Sequence, residues 1–346
     1  MNVTRLTYLI FLIGWHTVAR AEAPDLSSRS LSAPPHRVIR TCCAFGSDLR
    51  LMMVPILKYT DISSVDQLGP HGYLGNTAEG NGIIYTRRGG FIDMAHLRDQ
   101  ADWTAYLYSR VILARQIGNL SIRLGREGGS KLLNLTVPTD LNRDDALKLA
   151  GRIAYDLSVW HEIATWYGSS TVPFVPERYS SFSIEDPYSN LLGVTLGIEA
   201  IKSGLPYEVA MTHLITEMME TMGAVESENE TYNAMEAVRN IWWTRARHLP
   251  SRKVLIERQM GVYSCLEPWR VPGWSTGNMP SYDLHVPEKT SDGRALNCFY
   301  ELDFKLNYKF PVKEIFASKN NRRATQEDFG QIINHISKDL EQEKIR

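Results

Sequence analysis

The sequence predicts an α+β fold, mainly α-helical, in a single domain with a small antiparallel sheet. Three observations carry that reading. Residues 93–117 and 143–167 repeat apolar side chains at helical spacing and stop at Gly118 and Gly168. Residues 120–124, 131–137 and 296–306 alternate apolar with polar, the pattern of half-buried strands. No low-complexity linker divides the chain, so residues 22–346 read as one unit. Its helical body occupies about 90–250. A Trp/Pro-rich loop, a strand and a C-terminal helix fill about 251–346.

The chain begins like a secretory leader. Arg5 precedes the apolar run Leu6–Trp15, and Ala19-Arg20-Ala21 gives a small-x-small cleavage site, so residues 1–21 are expected to be removed. The apolar run is short of the roughly 20 residues that span a bilayer, and no later stretch is long enough, so stable membrane insertion is not expected. The expectation is an exported protein, periplasmic or secreted. Residues 1–21 hold Arg5 and Arg20 and no acid, which takes 38 basic residues to 36 against 39 acidic ones, a net of −3. That near-neutral balance, with no basic stripe, argues against nucleic acid as a partner. Cys42, Cys43, Cys265 and Cys298 fit an oxidising compartment. Bridges from the adjacent pair to the two distant cysteines would each close a loop worth roughly 5 kcal/mol.

Residues 22–40, rich in Ser, Pro and Arg, should be extended or disordered. Ile83-Ile84-Tyr85 reads as a short strand, and Gly89-Gly90 as a turn into the 93–117 helix. The 120–124 and 131–137 strands form a hairpin joined by Gly125–Ser130. The 143–167 helix turns Ile153, Leu157, Trp160 and Ala164 inward, with His161 on or beside that face. Asp186-Pro187 reads as an N-cap with proline at the first helical position, opening a helix to about Ser203. Pro206 opens another to Met222, and Thr231 caps one through Arg247. In the last strand Cys298 falls with the apolar set. Phe329, Ile332, Ile333, Ile336 and Leu340 lie along one face of the C-terminal helix, which should dock on the body or on a protein partner.

Chemistry concentrates on the two long helices. His161-Glu162 resembles half of a His-Glu-x-x-His zinc motif, but Thr165 stands where the second histidine is needed. The first helix carries His96, Asp99, Asp102 and Trp103 with Arg98 and Arg110, an unusual set for a core stripe. A buried ion-pair network would explain them. The sharper reading is a pocket between the helices in which His96, His161 and Asp99 hold one divalent metal such as zinc, two imidazoles and a carboxylate leaving positions open for water. Glu162, Asp102 and Asp186 are then the acid–base carboxylates, and Trp103, Trp166 and Asn190 contact substrate. A metal-free route would use Glu162 or Glu185, its pKa raised by burial, as general acid on a glycosidic bond. Gly273-Trp274-Ser275-Thr276-Gly277 matches a nucleophile elbow in letters only, since prolines flank it in a loop.

The segments Arg40–Gly46, Gly90–Asp93 leading to His96–Asp99 with Asp102–Thr104, His161-Glu162 with Thr165–Gly168, and Ser181–Ser183 with Glu185-Asp186 and Tyr188–Asn190 resemble an uncharacterised family of exported bacterial proteins of about this length, known as a domain of unknown function. The resemblance implies a single exported domain and supplies no activity. Two expectations follow from the residues. One is an envelope hydrolase acting on a cell-wall, glycan or lipid substrate. The other is a non-enzymatic periplasmic protein that binds glycan or protein through surface aromatics including Trp269 and Trp274.

Overall fold

The computed structural model describes residues 33–41, 44–51, 54–58, 60–171, 176–263, 265–274, 279–317 and 321–345. The expected leader, the Cys42-Cys43 pair and Ser275 lie outside them. A short antiparallel pair, β1 (Arg50–Leu51) and β2 (Val54–Lys58), leads to a second, β3 (Ile83–Thr86) with β4 (Gly90–Asp93), so Gly89-Gly90 turns one strand into another. Next comes α1 (Met94–Ile117), capped by the Asp93 carboxylate on the amides of Ala95 and His96 and closed at Gly118. The hairpin β5 (Asn119–Arg126) and β6 (Gly129–Thr136) then leads to α2 (Arg143–Trp166), whose N-cap is Asn142.

The body continues with α3 (Asp186–Lys202), α4 (Tyr207–Met222) and α5 (Glu228–Ala237). After a long irregular stretch come β7 (Tyr300–Leu306), α6 (Val312–Ile315), β8 (Arg323–Ala324) and α7 (Phe329–Ile345). The larger sheet is antiparallel in the order β5-β6-β7-β8. The fold is thus mainly helical α+β with small antiparallel sheets.

The layers explain where the polar residues fall. α3 lies along α1 so closely that a Cβ on Gly193 would come 2.0 Å from the Leu97 carbonyl oxygen, and one on Gly197 3.0 Å from the Ala101 Cα. Only glycine permits that approach, and α1 consequently has buried side chains on nearly every face. α2 covers α1 from another side and carries Trp160 into a stack on Phe304 of β7, 3.9 Å between ring centroids, with Phe329 of α7 at 5.9 Å. The apolar face of α7 buries Phe329, Ile332, Ile333 and Ile336 on the body, the first of the two dockings expected for it. Among the described residues no helix is long and apolar enough to cross a membrane.

Four local expectations are corrected. Ser227, not Thr231, caps α5, which ends at Ala237 rather than Arg247; the chain there turns to bury Trp242 and Trp243, the latter donating from its indole to the Met235 carbonyl at 2.9 Å. Thr231 is buried and bonds the Ser63 carbonyl. Residues Leu296–Phe299 form a 3-10 turn ahead of β7, which takes Cys298 out of the strand alternation. Cys298 and Cys265 are both free and exposed, where each was expected to be bridged and Cys298 to be buried. Finally, the segment expected to be extended or disordered up to the cysteine pair ends in the core, where Arg40 is buried.

Candidate functional site

A cavity of about 20 Å³, room for a water-sized occupant, lies between α1, α2, the β5–β6 turn and α3. His96, Asp99 and Trp103 of α1, His161 of α2 and Asn190 of α3 line it, so the structure brings together five of the residues that the sequence singles out. The two imidazoles stand 6.2 Å apart, centroid to centroid, in an edge-on arrangement.

Each ring is held by a partner. His161 Nδ1 lies 2.6 Å from Glu127 Oε1, and Glu127 is itself bound by Lys131 at 2.7 Å and Arg37 at 3.3 Å. The Glu127 carbonyl accepts from the Trp160 indole at 3.0 Å, which pins the β5–β6 turn to α2. Burial opposes charge on Glu127, but Lys131, His161 and Arg37 outweigh it and hold the carboxyl far below the usual range. Burial likewise opposes charge on His161, and the Glu127 carboxylate outweighs it, raising the imidazole above its ordinary value. With Nδ1 donating to Glu127, Nε2 is the atom left to meet a ligand.

His96 is oriented from the other wall. Its Nδ1 lies 3.1 Å from Asn190 Oδ1 and its Nε2 3.5 Å from Asp186 Oδ1. Asp186 is the first residue of α3 and Glu185 its N-cap, so the expected capping role of Asp186 is not observed; its carboxylate faces His96 instead. Burial, then Glu185, Glu162 and Asp93, raise Asp186 well above the carboxylate range. Among the described residues, the ligand atoms of Asp93, His96 and Asp186 lie within 4.8 Å of one another.

The expected metal set of His96, His161 and Asp99 is not assembled. Asp99 instead accepts from the Ile39 amide at 2.8 Å and the Arg40 guanidinium at 3.0 Å, and burial, only partly offset by Arg40, lifts it to about 6. Asp102 is saturated by Arg40 at 2.9 Å, His71 at 3.0 Å, Tyr207 at 3.1 Å and the Leu74 amide at 3.0 Å, which makes it a member of the ion-pair network. Glu162 is buried, one oxygen accepting from the Phe182 amide at 2.6 Å and the other without a hydrogen-bond partner. Trp166 lines a different cleft, with Arg252 stacked 4.0 Å over its ring.

Sequence reasoning misses Glu127, Lys131, Arg37 and Asp93 as site residues. Glu127 offered one signal, a lone acid between glycines in a hairpin turn. The chain matches, over residues 29–272, the family described as Protein of unknown function (DUF4056). It belongs to that family. Searches of curated proteins and of solved structures give no match.

Proposed function

We propose that this DUF4056 chain is an exported envelope hydrolase, carrying a cleavable leader at residues 1–21, that cuts a cell-wall, glycan or lipid substrate at the α1–α2 cavity. The observation that carries the reading is the Glu127–His161 pair: a buried carboxylate, fixed by Lys131 and Arg37, holds an imidazole by Nδ1 at the edge of a solvent-sized cavity. That arrangement sets the tautomer and favours the charged ring, as proton transfer in hydrolysis requires. In this role His161 gives a proton from Nε2 to the leaving group and takes one back from the attacking water, which enters from the side of His96 and Asp186. Trp103 and Asn190 form the walls.

The binding-protein reading has less support, because its aromatics are half-buried and packed on the body rather than standing out from it. Trp269 packs edge-on against Trp242 and donates to Gln259 at 2.8 Å, and Trp274 packs edge-on against Tyr85.

The test is incubation of the purified protein with cell-wall, glycan and phospholipid fractions separately, with and without added divalent metal. Products are read by mass spectrometry. Cleavage in one fraction names the substrate class; intact material in all three overturns the reading.

A further inference from the structure

Beside the cavity, four acids are buried close together. Asp93, Glu162, Glu185 and Asp186 are exposed by only 0%, 3%, 2% and 4%. Asp186 feels Glu185, Glu162 and Asp93 together, with Arg258 opposing them. Arg258 directs its hydrogen bonds to the carbonyls of Ser181, Tyr179 and Arg252, not to these acids. One oxygen each of Glu162 and Glu185 is buried with no hydrogen-bond partner at all. Buried carboxylate oxygens left without a hydrogen bond are costly, and a fold keeps them, next to other acids, by adding protons or a cation.

The geometry favours the cation. Three elements contribute one donor each: Asp93 at the end of β4, His96 in the first turn of α1 and Asp186 at the start of α3, all within 4.8 Å of one another. Ligands at about 2.2 Å from a zinc-sized ion can be at most about 4.4 Å apart, so a contraction of a few tenths of an ångström closes the set. His96 already has its Nδ1 on Asn190, the outer contact that orients a metal-bound imidazole.

We propose that Asp93, His96 and Asp186 bind a divalent cation, zinc or manganese, with Glu162 and Glu185 supplying the surrounding negative charge. The site deepens the hydrolase reading and rests on it only for the ion's use, because a water on the ion would face the cavity shared with His161. Binding itself does not depend on catalysis.

The test is calorimetric titration of the chelator-stripped, full-length protein with zinc chloride and with manganese chloride. Wild type and His213→Gln, a variant of an exposed histidine on α4, should bind one of the two ions near-stoichiometrically. His96→Ala and the isosteric Asp186→Asn should bind it at least about tenfold more weakly. All variants are checked for native circular dichroism. Asp186→Asn also carries a second readout: removing one buried acid should raise the melting temperature of the stripped protein and abolish any further rise on adding metal. Wild type that binds neither ion, or that binds no better than His96→Ala and Asp186→Asn, overturns the site and leaves protons as the neutralising species. Metal binding without cleavage of any envelope fraction keeps the site and removes the hydrolase reading; cleavage by metal-free protein that binds neither ion does the reverse.

Discussion

Replacing Arg40 by Met removes the charge at the centre of the network behind the cavity while keeping much of the side-chain stem. The guanidinium bonds both oxygens of Glu79, at 2.6 and 2.8 Å, and reaches Asp99 at 3.0 Å, Asp102 at 2.9 Å and the Gly72 carbonyl at 2.8 Å. Without it three buried carboxylates lose their main counterion. Arg98, the other cation near Glu79, stands 3.9 Å away and spends its shortest bond, 2.6 Å, on the Leu68 carbonyl. Burial alone would raise Glu79, yet Arg40 outweighs it and holds the carboxyl at about 2, against 4.5 for an ordinary one. On a side chain with no exposed surface that depression is worth about 3 kcal/mol. Breaking a buried pair by removing one partner costs roughly 3–5 kcal/mol, in agreement. The expected loss for Arg40→Met is therefore about 4 kcal/mol, or a urea midpoint lowered by about 1.3 M if the slope is about 3 kcal/mol/M. Arg40→Lys, which keeps the charge but cannot reach on two sides, should fall between. A loss under about 1 kcal/mol, the scale of an exposed pair, would refute the reasoning.

Three further outcomes follow from the same structure. The folded pKa of Glu79 lies below its unfolded value, so its contribution is full above about 4.5 and lost as pH falls toward 2. Wild type should therefore lose more stability than Glu79→Gln over that window in acid titrations followed by circular dichroism; parallel curves would contradict the assignment. Gly193→Ala places a methyl group against the Leu97 carbonyl oxygen. It should cost at least about 3 kcal/mol and lower the melting temperature by roughly 5 °C or more, and an unchanged melting curve would mean that α1 and α3 are not packed this closely. Cys265 and Cys298, both free and exposed, should react with a thiol reagent in the native protein, whereas a non-reducing peptide map that finds either in a disulfide would contradict this.

The fold was largely legible because its long elements announce themselves. α1 and α2 have the expected ends, since an apolar period closed by glycine leaves little freedom, and the β5–β6 hairpin follows from alternation around a glycine-rich turn. Errors arise where a local pattern admits two uses. Asp186 before Pro187 has the chemistry of an N-cap, but its carboxylate faces His96 because tertiary packing brings α3 onto α1. The alternation of β7 continues on paper through Cys298, while the chain closes a 3-10 turn there.

For the site, His96, His161, Asp99, Trp103 and Asn190 are recoverable because polar groups at helical spacing on buried faces need partners. The partners themselves are less visible. Glu127 lies 34 residues from His161 and reaches it only because the hairpin docks on α2. Arg37 and Arg40 come from a segment with no periodicity, and a serine- and proline-rich stretch gives no sign that it enters the core. Asp102 and Asp99 show the converse: acids on a buried helix face are as readily members of an ion-pair network as of a catalytic one, and only the position of Arg40 separates the two.

The most direct test of the central claim compares wild type with His161→Gln for the rate of product release from envelope material, with divalent metal supplied and folding of both verified. If His161 transfers the proton, its loss should slow the release by about a hundredfold or more. Equal rates in the two proteins would contradict the assignment of the Glu127–His161 pair as the acid–base centre.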